Sequence, residues 1–317
     1  MIKDRVAKAH VGPAVVKTRY RVEPLTDPEK IRLLLDRQPA YAAYALAHLE
    51  PRLFPRSYWW RAVPLAAAGS GQTAARRGSP APDGGEALVM HARTGLGPSL
   101  VALGATQALE AILRLHPGPF YTFATFQVEH APVVRRHFAL SRRGVSLRMS
   151  VSRETFRPVD GAARRLRGRD LGDVDDLQRS EGFGFHSAAA LDDGVYYGVY
   201  DTGRLVAMAG THVVAPEVGV AIVGNVVTHP RYRRRGYGAV ATSAVTAALL
   251  ETCPFVLLTV EERNEPALRV YQRLGYREEC RLIESGARRK DAFGLASLLR
   301  RWWARRSGSA GREVVVR

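Results

Sequence analysis

The sequence predicts an α+β protein of the three-layer type, a mixed and mostly antiparallel central sheet flanked by helices, with the arrangement present in tandem. Three observations carry this. Residues 218–227 form an uncharged, β-branched run closed by His229 and Pro230, which reads as a strand covered on both faces. A second apolar strand, 255–260, leads into a helix and a further strand, while Asp201, Thr202 and Gly203 make a tight hairpin turn between two apolar segments. The first half of the chain repeats much of this strand and helix order without repeating its sequence.

Taken in order, residues 1–19 are a basic, flexible arm with no apolar stretch of signal-peptide length. Residues 20–152 read as an accessory α/β domain. Its strands are expected at 21–25, 58–63, 87–92, 100–103, 120–126 and 145–151. Its helices are expected at 27–37, with Asp27 as cap, and at 40–49, 106–115 and 132–138. Residues 66–85, rich in Gly, Ala, Ser and Pro, are a loop. Residues 153–290 form the second domain, with a strand at 164–171, a helix at 173–180, a hairpin of 195–200 and 205–214, and then the strand, helix, strand, helix, strand run. Residues 291–306 read as a basic amphipathic helix capped by Asp291, followed by a disordered tail to 317.

At 317 residues the chain suits two domains of ordinary size, and 46% hydrophobic residues suffice for their cores. Cys253 and Cys280 have no metal-ligand spacing, which fits a reducing cytoplasm and no metal. The longest uncharged run, 236–250, falls short of the ~20 residues of a membrane span. The net charge of +17 is mostly arginine, and ten Lys and Arg against three acidic residues in 281–317 supply +7 of it. No aromatic platform alternates with these charges, so no specific nucleic-acid binding is expected.

The chemistry starts where the 218–227 strand ends. Arg231, Arg233, Arg234 and Arg235 are followed by Gly236 and Gly238, and then by Val240, Ala241, Ala244, Val245, Ala248 and Leu249 at helical spacing. A helix start of this kind offers unpaired amide N–H groups and the positive end of the dipole, so a phosphate or pyrophosphate is the ligand it suits best. The pattern RxxGxG is weak alone, and it recurs at Arg179, Gly182 and Gly184. No apolar strand precedes that second match, which reads as a decoy. Downstream of the 255–260 strand, Asn264 and Pro266 open a helix whose apolar side is Ala267, Leu268, Val270, Tyr271 and Leu274, and Gly275 stops it.

These residues resemble the GNAT N-acetyltransferase superfamily over about 155–285. Arg233, Arg234, Arg235, Gly236, Tyr237 and Gly238 match its pyrophosphate loop, and the stretch from Asn264 through Tyr271 to Tyr276 matches its distal motif. The first half, which lacks both the RxxGxG turn and a counterpart of Tyr271, reads as a degenerate copy. A strand beyond Ile283, usual in the superfamily, is not evident.

The resemblance implies acetyl-CoA as co-substrate. Val226, Val227 and Thr228 would pair with its pantetheine arm. The amides of Arg234, Arg235, Gly236, Tyr237, Gly238 and Ala239 would hold the pyrophosphate, Asn264 would be a cofactor contact or a helix cap, and Tyr271 would protonate the CoA thiolate. It further implies an N-acetyltransferase acting on a primary amine of a small molecule or peptide. The base is not assigned by sequence. Residues 218–228 carry no ionisable side chain, and Glu217, Glu261, Glu262, His212 and a water chain all stay open. A transferase for longer acyl-CoA and a non-catalytic acyl-CoA-binding module are the alternatives, and the acceptor and the oligomeric state are not specified.

Overall fold

Strands from both halves of the chain join edge to edge in one 14-stranded sheet. The computed structural model describes residues 18–65, 85–94, 97–141, 144–179, 187–291, 294–306 and 312–316. The first half contains β1 (Thr18–Pro24), α1 (Pro28–Leu35), α2 (Ala43–Ala47), β2 (Ser57–Pro64), β3 (Ala87–Thr94), β4 (Gly97–Gly104), α3 (Thr106–Leu115), β5 (Tyr121–Phe126), α4 (Ala131–His137), β6 (Phe138–Leu140) and β7 (Ser146–Val151). The second half contains β8 (Arg164–Arg165), α5 (Leu171–Arg179), α6 (Ala188–Asp193), β9 (Tyr197–Asp201), β10 (Arg204–Ala215), β11 (Val220–Thr228), α7 (Tyr237–Leu250), β12 (Phe255–Glu261), α8 (Glu265–Arg273), β13 (Arg277–Arg289), α9 (Leu295–Arg306) and β14 (Arg312–Val316).

The sheet order is β14-β1-β2-β3-β4-β5-β13-β7-β12-β11-β10-β9-β8, with β6 pairing β13. Two junctions, β4 with β5 and β11 with β12, are parallel, and the rest are antiparallel. The mixed, mostly antiparallel sheet with flanking helices is therefore as the sequence predicts. Each parallel pair is bridged by one helix, α3 or α7, the crossover that parallel neighbours require.

The end strands of the two halves change places. From the first half, β7 pairs with β12, and from the second half β13 pairs with β5 (Ile283↔Phe126 through Arg288↔Tyr121). The two meet each other at the centre, Leu282↔Ser146. A strand does continue beyond Ile283: β13 runs on to Arg289, and this continuation is the part that reaches into the first half.

Three further sequence expectations change. The 164–171 strand is only Arg164–Arg165, because Asp170 turns back to accept the backbone N–H of Arg167 at 2.8 Å and starts α5. The helix expected from Asp291 begins at Leu295, though Asp291 still caps it by accepting from the amide of Ser297 at 3.3 Å. The tail expected to be disordered contains β14, whose β-branched residues lie along the edge of β1, with Val316 buried in the first core. The arm before residue 18, the loop over 66–84 and the glycines of the decoy motif lie outside the described residues.

Separate apolar cores lie under α3 and α4 in the first half and under α7 and α8 in the second. A third core joins the halves, with Ile31, Leu35 and Leu46 of α1 and α2 packing against Val220, Ile222, Leu257 and Leu282. Each fully buried aliphatic side chain there contributes about 1.5–3 kcal/mol. The first half's α2 is thereby fixed over the middle of the second half's sheet.

Candidate active site

The site forms where β11 and β12 part. Their parallel pairing runs from Val220↔Phe255 to Val223↔Leu258 and stops, so residues 224–228 keep β10 as a neighbour and present an unpaired edge toward β12. Two bulges shape this divergence. Between the pairs Met208↔Val227 and Gly210↔Gly224, β11 uses one residue more than β10, and Asn225 takes a left-handed φ of 53°. Between Thr211↔Val223 and Val213↔Ile222 the extra residue is His212 on β10. Bulges of this kind bend a strand and re-aim its side chains. Asn225 is held there by donating Nδ2–H to Tyr196 Oη at 3.2 Å and to the Thr211 carbonyl at 3.4 Å.

Beyond Thr228 the chain makes a short turn on Pro230, with buried His229 accepting the amide of Arg231 at Nδ1, 3.2 Å. Arg233 Nε donates back to the Thr228 carbonyl at 3.3 Å. Arg234 (φ 66°) and Gly236 (φ 84°) are both left-handed, which turns successive amides toward one side as in an anion-binding nest. The first i to i−4 bond of α7 is Val240 N–H to the Gly236 carbonyl, and the amides of 234–239 have no acceptor among the described residues. Gly238 lies close to the strand it follows: a Cβ there would sit 2.9 Å from Thr228 Oγ1. The loop is braced by Tyr237, which donates to Asp201 Oδ2 at 3.0 Å, and by Arg235, 3.9 Å from the same carboxylate. The side chains of Arg233, Arg234 and Arg235 are exposed.

On the α7 side, Tyr271 of α8 is buried in the core that also holds Val223 and Leu258 and has Val226 and Tyr237 at its margin. Its ring meets Tyr276 edge-on at 6.0 Å. Desolvation pushes its phenol up to about 12, so it stays protonated through the neutral range. Asn264 is exposed at the start of α8 and caps it, Oδ1 accepting from Ala267 N–H at 3.3 Å. The sequence-named residues on β11, the turn and α7 thus form one strand–turn–helix, with Tyr271 in the adjoining core and Asn264 at the outer end of its helix.

The opposite face carries a polar network only partly visible in the sequence. His212 lies over Gly224, where a Cβ would overlap its Nε2. Its Nδ1 is 2.5 Å from Tyr44 Oη of α2. Arg148 of β7, fully buried, stacks its guanidinium 5.1 Å from the Tyr44 ring centroid and donates to Thr259 Oγ1 at 2.5 Å and Glu284 at 3.1 Å. Thr259 follows Leu258, the last residue of β12 paired with β11, so the network spans the divergence from strand to strand. Burial, and secondarily Glu284, raise the Tyr44 phenol well above its ordinary value. Of the other base candidates, Glu217 and Glu261 are exposed and Glu262 pairs with Arg281 at 3.0 Å. One signal was available for Arg148: it is the only charge in β7, facing away from Leu147 and Met149. Among the described residues no group of three or more His, Cys, Asp or Glu could hold a metal, and no helix is long and apolar enough to cross a membrane.

The first half has no equivalent opening among its described residues. There β4 and β5 stay paired to Ala102↔Phe126, at the end of β5, and only Ala105 separates β4 from α3. Tyr41 closes the place by donating its hydroxyl to the Ala102 carbonyl.

A mixed sheet whose central parallel pair splays beside an anion-ready helix start is the arrangement that the sequence resemblance implies. Residues 165–276 match the model of the Acetyltransferase (GNAT) family. Among solved structures, a Drosophila melanogaster protein is 17% identical and covers 86% of this chain and 99% of its own, with a TM-score of 0.56. That likeness extends the fold over both halves. A GCN5-related N-acetyltransferase from Kribbella flavida (19% identity, 63% of this chain and 86% of that one, TM-score 0.49) and one from Sphaerobacter thermophilus (15%, 85% and 95%, 0.49) are also similar. No curated protein matches.

Proposed function

We propose that the second half is an N-acetyltransferase that moves an acetyl group from acetyl-CoA to a primary amine of a small molecule or peptide by direct attack on the thioester. The observation that carries this reading is the continuity of an unpaired β11 edge with the amide nest at the start of α7. The edge of 224–228 suits an extended amide-bearing arm lying alongside as an added strand. The six amides of 234–239, which have no acceptor among the described residues, and the lack of a Cβ at Gly236 and Gly238 suit a pyrophosphate. Thioester and pyrophosphate at opposite ends of one pantetheine arm are what acyl-CoA offers.

In this reading the β11 backbone at the bulge donates an N–H to the thioester carbonyl, where negative charge develops during attack. Tyr271, still protonated at neutral pH, supplies the proton that the departing thiolate takes up. The free thiols of Cys253 and Cys280 support a reducing, cytoplasmic setting.

The test is release of free CoA thiol from acetyl-CoA over a panel of primary amines, alone and with Tyr271→Phe. The proposal expects amine-dependent release, with kcat lowered about tenfold or more in the variant and KM for acetyl-CoA within about twofold. Absence of thiol release with every amine, from protein shown to be folded, refutes the acetyl-transfer reading. Release from longer acyl-CoA but not acetyl-CoA moves it to another acyl group.

A further inference from the structure

We infer that the first half of the chain completes the active site of the second: His212 is the base that takes the acceptor's proton, and Tyr44 of α2 holds it in place for that step. The inference rests on the acyltransferase reading above.

His212 is the extra residue of a bulge, the point at which a strand turns a side chain out of register, and its Nε2 lies against Gly224 where β11 leaves β12. Any larger residue at 224 would occupy the place of the imidazole. Glu217, Glu261 and Glu262 sit at strand ends or in surface pairs, so His212 is the one sequence candidate beside the divergence.

The second step is orientation. A neutral imidazole donates from one nitrogen and accepts at the other, and the partner of the first decides which is basic. Tyr44 Oη lies 2.5 Å from Nδ1. When Nδ1–H donates to that oxygen, the lone pair is on Nε2, above Gly224. Tyr44 is itself fixed by the Arg148 guanidinium over its ring, which Thr259 and Glu284 anchor in turn. The groups facing the imidazole are therefore the Tyr44 phenol from α2, the Arg148–Glu284 pair from β7 and β13 behind it, and the Tyr196 phenol, which donates to the Thr211 carbonyl, on the far side. Tyr44 and Arg148 both come from the first half, so the role of that half is to position this base.

The step balances. The amine lone pair forms the C–N bond as the C–S pair leaves on sulfur, the ammonium proton lost from nitrogen goes to Nε2, and the thiolate takes the phenolic proton of Tyr271. Solvent exchange then returns both groups to their starting states.

The experiment is the pH dependence of kcat/KM for the amine, measured on the full chain with wild type, Tyr44→Phe and Gly224→Ala, beside acetyl-CoA binding by calorimetry. The wild type is expected to show an acid limb. Tyr44→Phe should lower kcat about tenfold and move that limb, with acetyl-CoA affinity within twofold. Gly224→Ala, which keeps the imidazole but displaces it, should lose activity about a hundredfold. His212→Ala, checked for folding by circular dichroism, should lose the limb, and added imidazole should restore part of the rate. Variants that bind acetyl-CoA and keep the wild-type limb overturn the role of His212 and leave acetyl transfer standing. A wild type that neither binds acetyl-CoA nor releases thiol overturns both.

Discussion

Replacing Gly236 isolates the backbone geometry of the turn from its charge. At φ 84° and ψ −9° this residue is left-handed, and an L side chain there costs roughly 1–2 kcal/mol. Nothing lies within 4 Å of the place a Cβ would occupy, so Gly236→Ala adds conformational strain without a clash. If the nest keeps its shape, the protein loses about 1–2 kcal/mol of stability. If the nest relaxes, the amides of 237–239 diverge, and the same energy is withdrawn from binding, a loss of about 5- to 30-fold in acetyl-CoA affinity. Asn tolerates the left-handed region better, so Gly236→Asn should lie between Ala and the wild type. Calorimetric titration with acetyl-CoA, paired with thermal melts, reads both quantities. Wild-type affinity together with a wild-type melting temperature in Gly236→Ala would refute the reasoning, as would an Asn variant weaker than the Ala one.

Two further predictions concern stability. Glu110 is a buried carboxylate: desolvation alone would raise its pKa, but bonds from His137 and Arg114 outweigh it and hold the group down at about 2. Since the folded value lies below the unfolded one, its contribution is full above about pH 4.5 and lost as pH falls toward 2. Glu110→Gln should therefore destabilise on the order of 2 kcal/mol at pH 6 and far less near pH 2.5, read from urea midpoints; an equal effect at both would contradict it. In β14, Val316 is 2% exposed and Val315 46%, so Val316→Ala should cost about 1.5 kcal/mol and Val315→Ala under about 0.5. Equal costs in denaturant melts would mean that β14 is not docked on β1.

What the sequence made legible is local along the chain. The apolar strand, the arginine and glycine turn and the helix after it are contiguous, and each is recognised by spacing within about fifteen residues. The first half reads similarly well: α3 falls on the expected residues, and most strands within one or two. The exchange of β7 and β13 was not legible, because pairing is set by tertiary register and either strand has a pattern that suits both neighbours. β14 was hidden for a different reason: five residues behind a polar segment carry too little periodicity to separate from a tail. The His212 network needs contacts 168 residues apart in sequence, beyond any motif. Asn225 is an intermediate case. Asn is among the few side chains that accept a positive φ, and Gly224-Asn225 within an apolar strand is itself a bulge signal.

Hydrogen exchange of the backbone amides, with and without acetyl-CoA, tests the central claim most directly. In the free protein the amides of 234–239 have no acceptor among the described residues and should exchange quickly, as should those on the open edge of 224–228. Acetyl-CoA should slow both segments together and leave the β4–α3 junction of the first half unchanged. Binding that protects neither segment, or that protects the first half instead, would contradict the account.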